Sequence, residues 1–181
     1  MRLMIASDIH GSSSAMARFA EKVGELKPET VLILGDILYH GPRNPLPDKY
    51  LPAKVITSIK DLPTPIVAVR GNCDAEVDQL VLPVHLAESA WLLDGTGRIM
   101  VIHGHQLEIN GGSIKAPEGA AVLSGHTHVP TAEKRGRTHY WNPGSLSLPK
   151  ENFPPSFGQY EDGKFEVLTF DGQTLMSDML A

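Results

Sequence analysis

The chain is poor in most features that would take it out of the ordinary globular class. It has one cysteine, Cys73, in 181 residues, so an internal disulfide is excluded and nothing calls for an oxidising compartment. No apolar run approaches the roughly 18 residues of a membrane span. The N-terminal MRLMIAS is broken by Asp8 before it could serve as a signal segment. Basic residues are not clustered: 16 Lys and Arg stand against 21 Asp and Glu, for a net charge of -5, and the two signs are interspersed. Without a basic stripe, polymeric nucleic acid is not an expected partner; no membrane partner is expected either, and the expected location is the cytoplasm. The apolar content of 41% is enough for a buried core, and the length suits a single domain over residues 1–181. A homo-oligomer is compatible with this composition.

Five short apolar runs share one format: LMIAS before Asp8, VLILG before Asp36, IVAVRG before Asn72, IMVI before His103 and AVLSG before His126. Each is rich in Val, Ile or Leu and ends at a polar side chain, as fully buried strands do. In open α/β sheets ligands gather beyond the carboxyl ends of strands, so the five terminators should meet in one cleft. Between the first two runs, Ser12 to Lys27 carries apolar residues at helical spacing behind serine caps. A second helix is expected over Leu51 to Lys60, after a loop stiffened by Pro42, Pro45, Pro47 and Pro52. From Trp91 onward the pattern becomes alternation and Gly-containing turns, which predicts hairpins and mostly antiparallel strands, with a weak helical signal over Gly112 to Glu118. The change of pattern suggests two sheets packed together in an α/β architecture.

The chemistry-bearing residues fall at the ends of these runs. Asp8 and His10 form a D-x-H pair, and two residues apart at the end of an extended segment they should share one face. His126 and His128 repeat the spacing in GHTH, and His103 and His105 in HGH. Taken singly, each motif reads more readily as a chance pair or a satisfied turn than as a ligand set. Together they are too many ionisable groups to bury side by side unless a metal neutralises them. Carboxylate and imidazole donors suit Mn, Fe, Zn or Ni, whereas calcium would ask for oxygen alone. Cys73, in GNCD, is open to three readings from the residues alone: ligand, nucleophile or bystander.

The ordered blocks DxH, GD, GN-x-D, HGH and GHTH resemble the calcineurin-like metallophosphoesterases, nearly end to end. GPRN after the second run, VRGNCD, and Asn142-Pro-Gly-Ser resemble the small bacterial phosphodiesterases within that family. The resemblance implies a four-layer α/β/β/α sandwich of two mixed sheets. It also implies two divalent transition-metal ions, Mn foremost with Ni, Fe or Zn as alternatives. One would be held by Asp8, His10 and His128, the other by Asn72, His103 and His126, with Asp36 bridging. The implied reaction is in-line attack on a small phosphate diester by a metal-bridging hydroxide, with Asn72, Asp74 and His103 at the catalytic centre. Other implied readings are a nucleotide phosphodiesterase or phosphatase, or a scaffold without turnover, as in a eukaryotic retromer subunit of this fold.

Members that cleave phosphomonoesters commonly carry His where this chain has Cys73, and that imidazole is thought to protonate the leaving oxygen. A thiol is a poor replacement, so weak monoesterase activity is expected. By strand alternation Cys73 should point away from Asn72, which makes coordination through sulfur unexpected, while Asp74 should share the Asn72 face and orient a histidine or the substrate. Arg43, Asn44, Arg70, Cys73, His40 and His105 are candidate substrate contacts, with Tyr50 a weaker one. For Arg70 an ion pair is the competing role, and for His40 simple loop exposure.

Overall fold

The computed structural model describes residues 1–180. The first half alternates strand and helix: β1 (Arg2–Ala6), α1 (Ser13–Leu26), β2 (Thr30–Ile33), α2 (Pro52–Lys60), β3 (Ile66–Val69) and the short β4 (Leu86–Ala87). The second half is built from strands: β5 (Ala90–Asp94), β6 (Gly97–Val101), β7 (Ala121–Leu123), β8 (Thr131–Arg135), β9 (Thr138–Asn142), β10 (Ser156–Glu161), β11 (Lys164–Thr169) and β12 (Thr174–Met179). They form a seven-stranded sheet, β12-β11-β10-β1-β2-β3-β4, and a five-stranded sheet, β5-β6-β7-β9-β8.

Helix α1 starts where Ser12 accepts a hydrogen bond from the Ala15 amide, and it ends at Lys27 in the left-handed region. A serine cap of this kind contributes about 1 kcal/mol. Its buried stripe, Ala15, Met16, Phe19 and Val23, packs with Val55 and Ile59 of α2 onto one face of the first sheet. On β1, Met4 and Ala6 face these helices, while Leu3 and Ile5 face the second sheet, where they meet Val101, Leu123 and Trp141. Burial on both faces explains why β1 is written as an unbroken apolar run.

The order of layers is the expected one, with a thin outermost layer. The outer face of the second sheet, around Ile102, Val122 and Tyr140, is covered by a strap that brings down Leu107, Ile114 and Ala116. The helix expected over 112–118 is absent; the strap holds only a short 3-10 turn, Glu108–Asn110. Gly111, Gly112 and Pro117 oppose a regular helix there. The second sheet is also less antiparallel than expected, since β6 pairs with β7 and β7 with β9 in parallel. Parallel pairing is what brings the carboxyl ends of β6 and β7 to the same end of the sheet, carrying the segments of His103 and His126 with them.

Candidate metal centre

Loops from both sheets interlock at this end. The amides of Asp8, His10 and Gly11 donate to the carbonyls of Gly35, Asp36 and Ile37 at 3.2, 2.9 and 2.8 Å, so the β1 and β2 loops run as a pair. Gly71 and Gly125 are required by close approach: a Cβ on the first would strike Asp36, and on the second Ser7 and Asp8. The D-x-H and GHTH pairs do not present their side chains by strand alternation. Asp8, His10, Asp36, His126 and His128 all have positive φ, between 48° and 69°. Asp and His tolerate this left-handed region better than most residues, though it stores strain of about 1–3 kcal/mol each. Tight turning after each strand aims the side chains inward.

Three imidazoles are fixed by backbone carbonyls. Nδ1 of His10 donates to Tyr39 O at 2.8 Å, that of His103 to Leu34 O at 2.6 Å, and that of His128 to Leu148 O at 2.6 Å. Each Nε2 is thereby turned to the centre of the cluster. Nε2 of His10 and Nε2 of His128 lie 3.2 Å apart, and Oδ1 of Asp8 lies 3.3 Å from the latter. Asp36 spans the cluster, its Oδ2 3.7 Å from Nε2 of His10 and its Oδ1 3.5 Å from Nε2 of His103. Asn72 Oδ1 lies 3.1 Å from Nε2 of His103. The ring of His126 approaches that of His103, with centroids 5.3 Å apart.

This donor set fits a divalent cation. Oδ1 of Asp8 is buried with no hydrogen-bond partner, while Oδ2 is satisfied by Ser7 Oγ and the His126 amide. With their Nδ1 atoms engaged by carbonyls, His10 and His128 face each other Nε2 to Nε2. Such an arrangement is costly without a proton or cation between them. Without metal the proton balance compensates. Burial raises the Asp8 carboxyl, but the His128 and His103 imidazoles outweigh it and hold it below the usual range. Burial likewise opposes charge on Asp36 and on His103, yet their mutual interaction prevails, lowering Asp36 and raising His103 to about 9. Burial, then the charge on His103, lowers His126 to about 4, leaving it neutral.

The cluster opens into a cleft of about 870 Å³, lined by Asp36, Asn72, His126 and His128 together with Arg43, Asn44 and Cys73. Several expected roles change. Asp74 orients no histidine: its carboxylate accepts the amides of Asp36, Ile37 and Gly71 at 2.7–2.8 Å and staples the β2 loop to the GNCD loop. Cys73 does not point away from Asn72. Its Sγ accepts from Asn72 Nδ2 at 3.3 Å and lies within 4.8 Å of a His10 ring nitrogen and an Asp36 oxygen, because the loop curls instead of extending. Burial, then the Asp36 carboxylate, pushes this thiol up to about 12. Arg70 faces outward to Glu76 and Glu88, at 3.0 and 3.7 Å, and does not line the cleft. His40 packs edge-on between Tyr39 and Tyr50 behind the cleft wall. His105 sits behind His103 and His126, its Nδ1 buried without a partner. Asn142 and Ser145 support the site through side chains, donating to Gly125 O and Asp8 O. Tyr39, Asn110, Thr127 and Lys150 also line the cleft and were missed. Thr127, inside GHTH, was the one whose position a motif could have signalled.

The profile of the calcineurin-like phosphoesterase superfamily domain matches residues 1–161. The chain belongs to this family. Among its relatives, phosphodiesterase YfcE of Escherichia coli K12 is 39% identical over 188 residues, covering 99% of this chain and 97% of the relative. The solved structure of YfcE, described as a phosphoesterase from E. coli, matches the whole of both chains with a TM-score of 0.93 at 38% identity. Vps29 of Entamoeba histolytica complexed with zinc shares the fold over the whole of both chains, with a TM-score of 0.62 at 18% identity. Membership in the calcineurin-like phosphoesterases and the inward-facing donors of this site agree on the use of divalent metal.

Proposed function

We propose that residues 1–181 act as one metal-dependent phosphodiesterase unit in the cytoplasm, hydrolysing small phosphate diesters and acting weakly on monoesters. The observation that carries this reading is the convergence of Asp8, His10, Asp36, His103 and His128 on one point, with an unpartnered Asp8 oxygen among carbonyl-anchored imidazoles. The 39% identity to a phosphodiesterase supports the substrate class. Asp8, His10 and His128 would hold one ion and Asn72, His103 and His126 a second, with Asp36 serving both and Mn the foremost metal. Such ions supply positive charge for the phosphoryl oxygens and lower the pKa of the attacking water.

The chain's own groups set the specificity. Arg43 and Lys150 bring two positive charges to the cleft and can steady the phosphate oxygens. Asp74 keeps the loops of Asp36 and Asn72 in register through its three amide bonds. Position 73 offers a thiol, whose ordinary pKa of about 8.5 makes it a weaker acid than an imidazolium for protonating a departing oxygen. A monoester carries about -1.5 to -2 at neutral pH and a diester only a single charge, so the diester also makes the smaller demand on the cleft's cations.

Comparing hydrolysis of bis(4-nitrophenyl) phosphate with 4-nitrophenyl phosphate by the Mn-loaded protein tests this reading. The diester should be favoured, and preference for the monoester would sink it. Cys73→His should raise monoester turnover on the order of tenfold or more. No change in a folded variant would mean that the leaving group takes its proton elsewhere.

A further inference from the structure

Asn110 and Thr127 line the cleft, and on their other side they line a second cavity of about 260 Å³. This cavity lies between the strap and strands β8 and β9. It shares Leu107, Ile109, Arg135 and Tyr140 with a third space, also of about 260 Å³, so the cleft continues as a trough over the outer face of the second sheet. Leu107, Ile109, Val129 and Tyr140 give the trough apolar walls, and Ile109 is 48% exposed despite its apolar neighbours. At the far end the Arg135 guanidinium lies 5.5 Å from the Tyr140 ring centroid and pairs with Glu133. Thr127 separates His126 from His128 in the chain, so the mouth of the trough is one residue from both imidazoles.

We infer that this trough is the subsite for the second ester arm of the substrate, and that the arm it accepts is a flat aromatic ring. The inference rests on the phosphodiesterase reading and names the class of diester. In-line displacement puts the leaving group opposite the attacking water, so the arm that stays on phosphorus must project to the side. The cleft offers that arm Arg43, Lys150, Asn44 and Asn72 beside one aromatic ring, Tyr39, and the trough offers the aliphatic walls of Leu107, Ile109 and Val129 with the π surfaces of Tyr140 and Arg135. A cavity of about 260 Å³ has room for one ring system and not for a polymer. A phosphomonoester has no second arm to place there, so the trough favours diesters independently of Cys73.

The test uses two phosphinates that carry a single charge and have only P–C bonds to their organic groups. Calorimetry on the Mn-loaded protein should show methyl(phenyl)phosphinate binding on the order of tenfold more tightly than dimethylphosphinate. Thr131→Phe, which fills the trough from β8, should abolish this gap, and Ile109→Ser on the exposed strap should narrow it without disturbing the fold. Equal affinities in the parent protein, or a gap that survives both substitutions, would overturn the inference. Turnover of bis(4-nitrophenyl) phosphate is read in parallel. A binding gap without turnover keeps the subsite and removes the hydrolytic reading, while turnover without a gap does the reverse.

Discussion

The two sides of the metal centre are made by different means. On the Asp8, His10 and His128 side both imidazoles are anchored by carbonyls, all three residues are buried, and Asp8 is locked by Ser7 and the His126 amide. On the other side His103 is equally well anchored, but Asn72 is exposed, and among the described residues no hydrogen bond fixes the ring of His126. Partners that orient a metal ligand also set its affinity. On the proposed two-ion reading the first side would hold its ion the more firmly, and the second would adjust as substrate enters from the cleft. Asp36 links them and belongs to both.

The largest effect should come from removing that link. Asp36→Asn should lower Mn-dependent diester turnover by more than about a hundredfold, since groups that only orient metal ligands already cost roughly 10- to 100-fold. Turnover near the parent value would show that the two sides work separately. A smaller, asymmetric effect is expected from the histidines of GHTH. His128→Gln should lose on the order of a hundredfold and stay poor in excess Mn, whereas His126→Gln should lose about tenfold and recover when Mn is added. Metal content after dialysis, measured beside turnover, decides this; equal behaviour of the two variants would erase the asymmetry.

The smallest effect concerns the protein without metal. His103 is raised from its ordinary value near 6.5 to about 9, so its pairing with Asp36 stabilises the fold fully below pH 6.5 and fades as pH rises through 9. The lowered Asp36 carboxyl contributes above its ordinary value and fails only in acid. In chelator the Tm should therefore fall between pH 6.5 and 9.5, by about 2–4 °C for each kcal/mol lost at this chain length. His103→Gln should flatten the profile. A flat profile in the parent would mean that His103 is not held protonated.

Much of this centre was legible because buried parallel strands leave a plain trace: an apolar run, then a glycine or a polar residue at the mouth of the sheet. Asp8, Asp36, Asn72, His103 and His126 stood out for that reason, and the helix over Ser13–Leu26 for its serine cap and apolar spacing. Features that depend on the hand of the backbone were not legible. Strand alternation predicted that Asp8 and His10 share a face and that Cys73 turns away, but left-handed φ values and a curled loop decided both. Asp74 was placed near the chemistry, yet its role as a clamp on three amides depends on a loop more than thirty residues away. Lys150 and the trough follow from distant segments meeting, which no local pattern records.

The positive φ values at Asp8, His10, Asp36, His126 and His128 set a limit on redesign. Glycine is the residue best suited to that backbone, so exchanging such a residue for glycine can relieve strain of about 1–3 kcal/mol. A search for heat-tolerant variants, scored on the metal-free fold alone, would be drawn to these positions. It would gain stability by dismantling the centre, because the residues that strain the backbone are those that aim donors inward.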